Sequence, residues 1–544
     1  MQGTTRSIIK ALLVVLPLLL FLLHGFGLYA SAGRDDVHIT YAEATNLSQG
    51  LGFTNINGDR VESGSSILHV VILGALKVLF PDVDMSVIGG ILAIVAAVIC
   101  LVFLSVPVKG KSSMVAVGSA IASALSAYFV YWAFGALESV LAALIVTAAF
   151  VPLTERFRPM LFATVLSLYV LVRPEGFFVI ALFSVGCLVS AALIRLRSGE
   201  MSIDITKAAF YSLGFSSVAF AAITSFRLWY FGRAFPLPVY AKSAGISLSS
   251  MDEGFLYLAS QLQGSVGLAV LIFIALLSAA TQIVRSRGAS NVRAILAGVF
   301  ILSVLSFVVA SSGDWMEGGR FLVPIIPLAA YFGCQAVLAW SRPAFPVVLL
   351  LICAVSAAEA FSFRDKYSTG LALPPTGGME EFSWFERYNQ VHLRDALFLI
   401  HAEKVVGEEI VKRGSVVVYS VQAGMVPLYL RQRFGDRFRF VDMRALATDD
   451  FLKCPATAHF QSSKSGLLVG YTDYLGMADK IAIDCGLPRP DIIFDLGNES
   501  SAEMQVVIAH GYRVAYSQKG PVSAQHESRV AMDQLILVAT PSGS

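Results

Sequence analysis

Two adjacent carboxylates, Asp35 and Asp36, follow the first long apolar stretch of the sequence. Such a pair can act as a general base or bind a divalent cation, because both roles need ionised oxygens beside a reacting group. An aspartate directly before a helix is also a common helix cap. The sequence leaves both interpretations open, a reactive site and a solvated helix start.

Charged and aromatic residues also occur at the ends of later apolar stretches. They are Glu138, Arg173, Glu175, Arg227, Trp229, Tyr240, Lys242, Asp314, Trp315 and Arg320. An arginine can bind two oxygens of a phosphate at once, so these segments are candidate sites for an anionic ligand. Each cation taken alone is more often an interfacial anchor or an ion-pair partner.

The elements that must position these residues are membrane helices. Hydrophobic residues make up 56% of the 544 residues and charged residues only 14%, whereas ordinary soluble domains have about 25% charged residues. The mean hydropathy of +0.70 agrees with a chain that is largely dissolved in lipid. A formal net charge of +2 without a basic stripe excludes a nucleic-acid binder.

A membrane span needs about 20 apolar residues, and the hydropathy pattern predicts about eleven of them. They lie near 8–29, 86–106, 114–133, 138–154, 159–172, 177–194, 206–225, 264–284, 293–311, 321–340 and 344–361. The apolar stretch Ser66–Phe80 is too short for a comfortable span. We therefore predict that it forms a re-entrant or interfacial helix.

The distribution of Lys and Arg predicts the orientation, because short cytoplasmic loops are rich in both. With a cytoplasmic amino terminus and no crossing at Ser66–Phe80, every inside loop is basic, from Arg6 and Lys10 to Arg342. The first span is interpreted as an uncleaved anchor, since its apolar run exceeds that of a signal peptide. All the candidate residues then lie on the outer, periplasmic face of a bacterial inner membrane. Together, cations on that face favour an anionic ligand such as a lipid phosphate.

The chain becomes polar after Ser362, so we divide it into a membrane domain, 1–362, with a first outer loop at 31–85, and a periplasmic domain, 363–544. Short strands are predicted at Gly414–Tyr419, Leu467–Gly470 and Asp491–Asp495, and helices at His392–Val411 and Ser501–His510. This alternation indicates an α/β domain. We interpret it as a structural or acceptor-docking module.

The cysteines and histidines give no strong sign of a metal site. Cys100, Cys187, Cys334 and Cys353 lie in apolar runs, where a cysteine usually packs as a small hydrophobe. Cys454 and Cys485 lie in the polar region, where a disulfide is permitted but not required. No two histidines have a metal-ligand spacing.

The segment GRDDVHITYAEATNLSQGLGFTNINGDRVES resembles the first outer loop of GT-C glycosyltransferases, especially the terminal β-(1→2) arabinofuranosyltransferases of the actinobacterial cell wall. GALES, LVRPEGF, RLWYFGRAFPLPVYAK and GDWMEGGRFLVPIIPL follow in the same order, and the similarity covers most of residues 30–340. This chain has Ser63-Gly64-Ser65-Ser66 where those relatives often have an aromatic-Thr-Asn/Ser-Pro turn. The resemblance therefore does not define the exact substrate.

The resemblance implies a polytopic α-helical GT-C fold and inverting transfer of a sugar, arabinofuranose in the closest relatives, from a polyprenyl-phosphate donor. Asp36, or alternatively Asp35, would take the acceptor proton. Arg173, Arg227, Lys242 and Arg320 would hold the donor phosphate. His38, Glu138, Glu175, Trp229, Tyr240, Asp314 and Trp315 would orient those cations or line the sugar or acceptor groove. Asp35 and Asp36 are compatible with a divalent metal, Mg²⁺ or Mn²⁺, and also with its absence.

Two other classes remain open at this stage. A transporter or flippase for a lipid-linked saccharide would also need many spans, although transporter sites usually lie at the membrane midplane. A catalytically silent GT-C scaffold in surface assembly or motility would need no base. The acceptor, whether a glycan, a lipid-linked saccharide or a protein, is not defined by the sequence.

Overall fold

The computed structural model describes residues 2–28, 35–106, 112–151, 157–242, 248–285, 292–314, 316, 318–368, 390–420, 423–443, 446–450, 486–497, 511–518 and 533–540. Close contacts divide the chain into two compact units. The first contains Met1–Ala32, Gly90–Ser225 and Gly245–Asp365. The second contains Gly33–Gly89, Phe226–Ala244 and Lys366–Ser544. The first outer loop therefore groups with the C-terminal region, a division that differs from the hydropathy boundary after residue 362.

The first unit is helical. Its helices are α1 Gln2–Leu28, α5 Ser113–Leu125, α6 Ala127–Phe134, α7 Ser139–Phe150, α8 Pro159–Ser167, α9 Tyr169–Val172, α10 Gly176–Ser198, α13 Leu248–Gly264, α14 Val266–Arg285, α15 Val292–Ala310, α16 Ile326–Trp340 and α17 Phe345–Ser368. A 3₁₀ turn, Arg320–Ile325, leads into α16. Helices α4 Met85–Ser105 and α11 Ile203–Phe231 pass from one unit into the other.

Seven helices in the described part of the chain are long and apolar enough to cross a membrane. They are Met85–Ser105, Gly176–Ser198, Ile203–Phe231, Val266–Arg285, Val292–Ala310, Arg320–Trp340 and Phe345–Phe363. The pair α5–α6, bent by 63°, makes an eighth if it counts as one span. The predicted polytopic helical fold is confirmed. Three further predicted spans form shorter apolar helices, Val14–Leu28, Ser139–Phe150 and Pro159–Val172, and remain predictions as spans.

The second unit begins with two short helices, α2 Val37–Ser48 and α3 Ile67–Leu79, which pack against each other. Thirteen residues of α3 extend about 20 Å, less than the roughly 30 Å hydrocarbon core. This length agrees with the prediction that Ser66–Phe80 is too short for a span. A third short helix, α12 Leu237–Lys242, follows the end of α11.

The C-terminal part of the second unit is an α/β fold. Helices α18 Gln390–Arg413 and α19 Met425–Phe434 accompany strands β1 Val416–Ser420, β2 Phe438–Asp442, β3 Ile492–Gly497, β4 Tyr512–Gln518 and β5 Asp533–Ala539. The strand order is β2-β1-β3-β5-β4, with β2, β1 and β3 parallel and β5 and β4 antiparallel. The core is formed by apolar residues of these strands and of α18.

Two predicted strands and one predicted helix of this region are found, as β1, β3 and α18. The segments predicted at Leu467–Gly470 and Ser501–His510 lie outside the described residues, and so do Cys454 and Cys485. The other four cysteines are free thiols, buried or half-buried, as expected for packing residues.

Gly254 of α13 packs closely against the backbone of α15. A Cβ atom at this position would lie 2.2 Å from the carbonyl oxygen of Val309, and backbone cannot move aside cheaply. We expect Gly254→Ala to lower the thermal unfolding midpoint of the detergent-solubilised protein. The matched control is Gly214→Ala on α11, where the new methyl group meets nothing within 4 Å. That substitution should leave the midpoint unchanged or raise it, because alanine favours helix by about 1 kcal/mol over glycine. Equal effects of both substitutions would contradict this packing.

Candidate functional site

The two adjacent aspartates have different surroundings. Asp36 stands directly before α2 and is half-buried, and its carboxylate makes no hydrogen bond or ion pair to any residue that the structure describes. The carboxylate of Asp35 accepts hydrogen bonds from the backbone N–H groups of Gly424, at 3.0 Å, and Met425, at 2.7 Å. The side chain of Asp36 makes no cap hydrogen bond to α2, and Asp35 caps a different helix, α19 of the C-terminal region. Asp36 has the more available carboxylate.

The Asp35–Asp36 pair fits a divalent metal poorly. Both carboxylate oxygens of Asp35 already accept backbone hydrogen bonds. Of the pair, Asp36 alone therefore has a carboxylate without a partner among the described residues. Within the described ranges, no three His, Cys, Asp or Glu side chains are grouped as metal ligands. We therefore derive no step through Mg²⁺ or Mn²⁺.

His38 is buried on α2, one turn after Asp35. Its Nδ1 lies 3.3 Å from the carbonyl oxygen of Asp35, and its ring packs edge-on against Tyr41 with ring centres 5.2 Å apart. These contacts hold the first turn of α2. A direct contact of His38 with a sugar or an acceptor remains a prediction.

A buried network joins α2 to the end of α11. The Arg227 guanidinium donates two hydrogen bonds to Glu62, at 2.7 and 2.8 Å, and both side chains are only 4% exposed. The next residue, Ser63, donates from its N–H (2.5 Å) and its hydroxyl (2.9 Å) to Glu43 on α2. Arg227, predicted to hold a phosphate, thus already has a carboxylate partner.

Glu43 is the centre of this network, and we did not predict it as a site residue. Burial, followed by the charge of Glu62, raises the pKa of Glu43 to about 8, although hydrogen bonds from Ser63 and Gly64 oppose the shift. Burial also raises the pKa of Glu62, against the hydrogen bonds and charge of Arg227. At neutral pH Glu43 is therefore mostly protonated. Its sequence signal was weak, because it is one of several polar residues on α2.

A small cavity of about 20 Å³ adjoins the network, enough for one water-sized group. Arg60, Glu62, Arg233 and Asp449 provide its charged walls, and its other lining residues are Val61, Phe231, Phe235 and Leu237. Arg233 donates to Asp449 through Nη2 at 3.0 Å, while its buried Nη1 has no hydrogen-bond partner among the described residues.

Arg60 is exposed, and its guanidinium lies 5.2 Å from the ring centre of Tyr230. No carboxylate in the described part of the chain forms an ion pair with it. We did not predict Arg60 or Arg233 as site residues, although both lie in the segments that carry the resemblance.

The remaining predicted residues of this unit are less enclosed. Trp229 is 79% exposed on α11. Tyr240 is also exposed, and its hydroxyl accepts hydrogen bonds from the backbone N–H groups of Ala234 and Phe235, at 3.2 and 3.4 Å. Lys242 is the last residue of α12, and its side chain lies outside the described part.

The first unit brings together three of the predicted motifs. Arg173 donates to Glu138 and to Glu175, both at 2.6 Å, and is 3% exposed. Arg320 donates to Asp314 at 2.8 and 3.0 Å. The two guanidinium groups lie 5.0 and 5.6 Å from the ring centre of Phe321. Glu138, Glu175 and Asp314 thus orient the cations, while phosphate binding by Arg173 and Arg320 remains a prediction. Trp315 lies outside the described residues.

The fold is similar to that of solved membrane glycosyltransferases. The oligosaccharyltransferase of Archaeoglobus fulgidus matches in its apo form with a TM-score of 0.52 and 11% identity, over 92% of this chain and 71% of that one. The same enzyme tethered with an acceptor peptide matches with a TM-score of 0.50 and 9% identity, over 92% and 70%. The chain has the GT-C fold. These identities show the fold alone.

Two further structures match with lower TM-scores. The arabinofuranosyltransferase AftD from Mycobacteria gives 0.48 at 15% identity, over 98% of this chain and 40% of that one. ArnT from Cupriavidus metallidurans, bound to undecaprenyl phosphate, gives 0.46 at 11% identity, over 96% and 97%. No protein-family model matches the sequence, and no curated protein matches it.

The raised pKa of Glu43 makes stability depend on pH. An unfolded chain releases this proton near pH 4.5 and the folded protein near pH 8. The contribution is therefore fully present below pH 4.5 and is lost as pH rises towards 8. We expect the thermal unfolding midpoint of wild type to fall over this range, and Glu43→Gln to have a smaller slope because its side chain stays neutral. Replacing the exposed Glu408 by Gln should leave the wild-type slope. An unchanged slope in Glu43→Gln would contradict the assignment.

Proposed function

We propose that this protein is a membrane glycosyltransferase that transfers a sugar from a polyprenyl-phosphate donor to an acceptor on the periplasmic face of the inner membrane. The observation that carries the proposal is the half-buried carboxylate of Asp36, which has no partner among the described residues while its neighbour Asp35 is engaged. The GT-C fold supports a membrane glycosyltransferase. The similarity of the first outer loop to arabinofuranosyltransferases supports arabinofuranose as the sugar.

The reaction is an inverting displacement at the anomeric carbon. Asp36 takes the proton of the acceptor hydroxyl as its oxygen forms the new bond to that carbon. The bond from the anomeric carbon to the phosphate oxygen breaks, and its electron pair leaves with the polyprenyl phosphate. This leaving group is already a stable anion, so the transfer needs charge stabilisation more than a general acid.

Arg60 and Arg233 are our candidates for stabilising that anion. Arg227, Arg173 and Arg320 each have carboxylate partners. Arg60 has none in the described part of the chain, and Arg233, which pairs with Asp449, has a second buried N–H group without an acceptor there. Both line the same cavity beside Glu62. A phosphate oxygen there would accept hydrogen bonds from both guanidinium groups. Arg227, which is bound to Glu62 beside this cavity, would contribute to the field around the phosphate, while phosphate binding by Arg173, Lys242 and Arg320 stays a prediction.

Asp36→Asn should abolish transfer while leaving the fold intact. General-base catalysis contributes about 10²–10⁴-fold, so we expect kcat to fall by at least about 100-fold. The measurement is transfer of radiolabel from synthetic polyprenyl-phosphoryl arabinofuranose to a short glycan by the purified full chain. The control is Asp82→Asn, which changes an exposed aspartate of the same outer loop and should keep wild-type activity. Failure of wild type with a panel of prenyl-phosphate sugars, with and without metal, would favour a flippase or a silent scaffold.

Arg60→Ala should weaken binding of the donor more than binding of the acceptor. A hydrogen bond to a charged group contributes about 1.5–3 kcal/mol, so we expect the KM for donor to rise by about tenfold or more. Adding Arg233→Ala should raise it further. Arg437→Ala, which removes an exposed arginine of the same unit, is the control and should leave both KM values unchanged. If Arg60→Ala raises the acceptor KM instead, the cavity belongs to the acceptor.

A further inference from the structure

Both helix α19 and Asp35 favour the contact between them. The first N–H groups of any helix have no partner within it, and Gly424, at the cap position of α19, has no side chain to offer. Asp35 supplies two of the missing acceptors, from 389 and 390 residues earlier in the chain. A carboxylate is favoured there because the helix dipole places partial positive charge at the N-terminus.

The approach is close enough to require glycine at position 424. A Cβ atom there would lie 2.0 Å from the carbonyl oxygen of Asp35 and 2.4 Å from its Oδ1. Any other residue would displace the backbone of Asp35 or the first turn of α19. The dipeptide Asp35-Asp36 is thus held by its backbone as well as by a side chain.

A second contact fixes the same outer loop to the edge of the sheet. The Asn57 side-chain amide donates to the carbonyl oxygen of Phe440 at 2.6 Å and accepts from its N–H at 3.0 Å. Phe440 belongs to β2, the edge strand, so Asn57 pairs with it as a neighbouring strand would. Arg431 of α19 also donates to the carbonyl oxygen of Asn57.

The place of the Asp35 contact in the sheet supports a positioning role. Helix α19 follows β1, which is parallel to its neighbours β2 and β3, so its N-terminus lies at the carboxyl end of a parallel strand. Open α/β sheets usually bind their ligands at such an edge, with anions at the helix N-terminus. Here the Asp35 carboxylate takes the position that an anionic ligand would occupy.

We propose that Asp35 is a positioning residue: by capping α19 it makes the C-terminal α/β domain a platform that holds Asp36 for proton transfer. The proposal rests on the function proposed above. It assigns different roles to two adjacent aspartates, and it gives the C-terminal domain a part in catalysis without a residue that touches substrate. Asp36 remains the catalytic residue.

Conservative substitution separates positioning from catalysis. Asparagine has one acceptor oxygen, so it can keep one of the two hydrogen bonds that the Asp35 carboxylate accepts, whereas alanine keeps neither. We therefore expect Asp35→Ala to lower kcat about tenfold or more with little change in the donor KM, and Asp35→Asn to lower kcat less. Asp36→Asn should be inactive. Strong loss in Asp35→Asn together with activity in Asp36→Asn would overturn the assignment and make Asp35 the base.

Gly424→Ala tests the same contact from the opposite side without changing either aspartate. The added methyl group would push Asp35 away, so kcat should fall about as much as in Asp35→Ala. The matched control is Gly407→Ala on α18, where a Cβ atom meets the Phe434 ring at an ordinary 3.5 Å. Wild-type activity in Gly424→Ala would overturn the proposal.

Hydrogen–deuterium exchange of the full chain provides a readout that does not need activity. Asp35→Ala and Gly424→Ala should speed exchange of peptides covering residues 423–430, while Asp36→Asn and Gly407→Ala should not. Unchanged exchange in Asp35→Ala would refute the capping contact. If wild type transfers none of the donors, the proposed function is wrong and so is the positioning role of Asp35. The exchange measurement still tests whether Asp35 caps α19.

Discussion

The need to pair buried charge governs both units of this protein. Removing one partner of a buried ion pair typically costs about 3–5 kcal/mol, because the other charge is left in a poorly polar surrounding. Arg173 and Arg227 are almost fully buried, and each has carboxylate partners at hydrogen-bond distance. Since a guanidinium cannot lose its proton in a protein, its carboxylate partners must be buried together with it. The charged motifs of the sequence are therefore structural ion pairs as well as candidate site residues.

Because most charges of these motifs are paired, the groups without a partner are the candidates for contacting a ligand. In the second unit, the described residues leave Asp36 without a partner, Arg60 without a carboxylate and one N–H group of Arg233 without an acceptor. Glu43 needs no cationic partner, because burial keeps it mostly protonated. Asp36 directly precedes helix α2 and Glu43 lies on it, seven residues and about 10 Å further along its axis. The available carboxylate and the unused cations thus belong to elements joined by one buried network.

Much of the membrane part could be predicted because lipid imposes a simple rule on sequence. A span must be about 20 apolar residues long, and the predicted apolar runs form either long helices or shorter apolar helices in the structure. The resemblance implied that Glu138, Glu175 and Asp314 would orient cations or bind a sugar, and in the structure each of them accepts a hydrogen bond from an arginine. The free thiols were expected because these cysteines lie in the apolar runs.

Contacts between distant parts of the chain could not be predicted in this way. Arg227 and Glu62 are 165 residues apart, and Asn57 and Phe440 are 383 apart, so no local pattern links them. The grouping of the predicted outer loop with the C-terminal region could not be predicted for this reason, because hydropathy shows only where polar composition begins. The strands β2, β4 and β5 were missed too, although Leu535–Ala539 is a continuous apolar run of the kind that a buried strand shows.

The capping of α19 also limits what the C-terminal domain can do. Two N–H groups that bind the Asp35 carboxylate cannot at the same time bind a phosphate or carboxylate of an acceptor. The usual ligand position of a parallel sheet is therefore occupied by the protein's own chain. If this domain selects the acceptor, it must do so through another surface, while its sheet edge serves the loop that carries Asp36. If Asp36 is the base, its position and the first turn of α19 then depend on the same pair of hydrogen bonds.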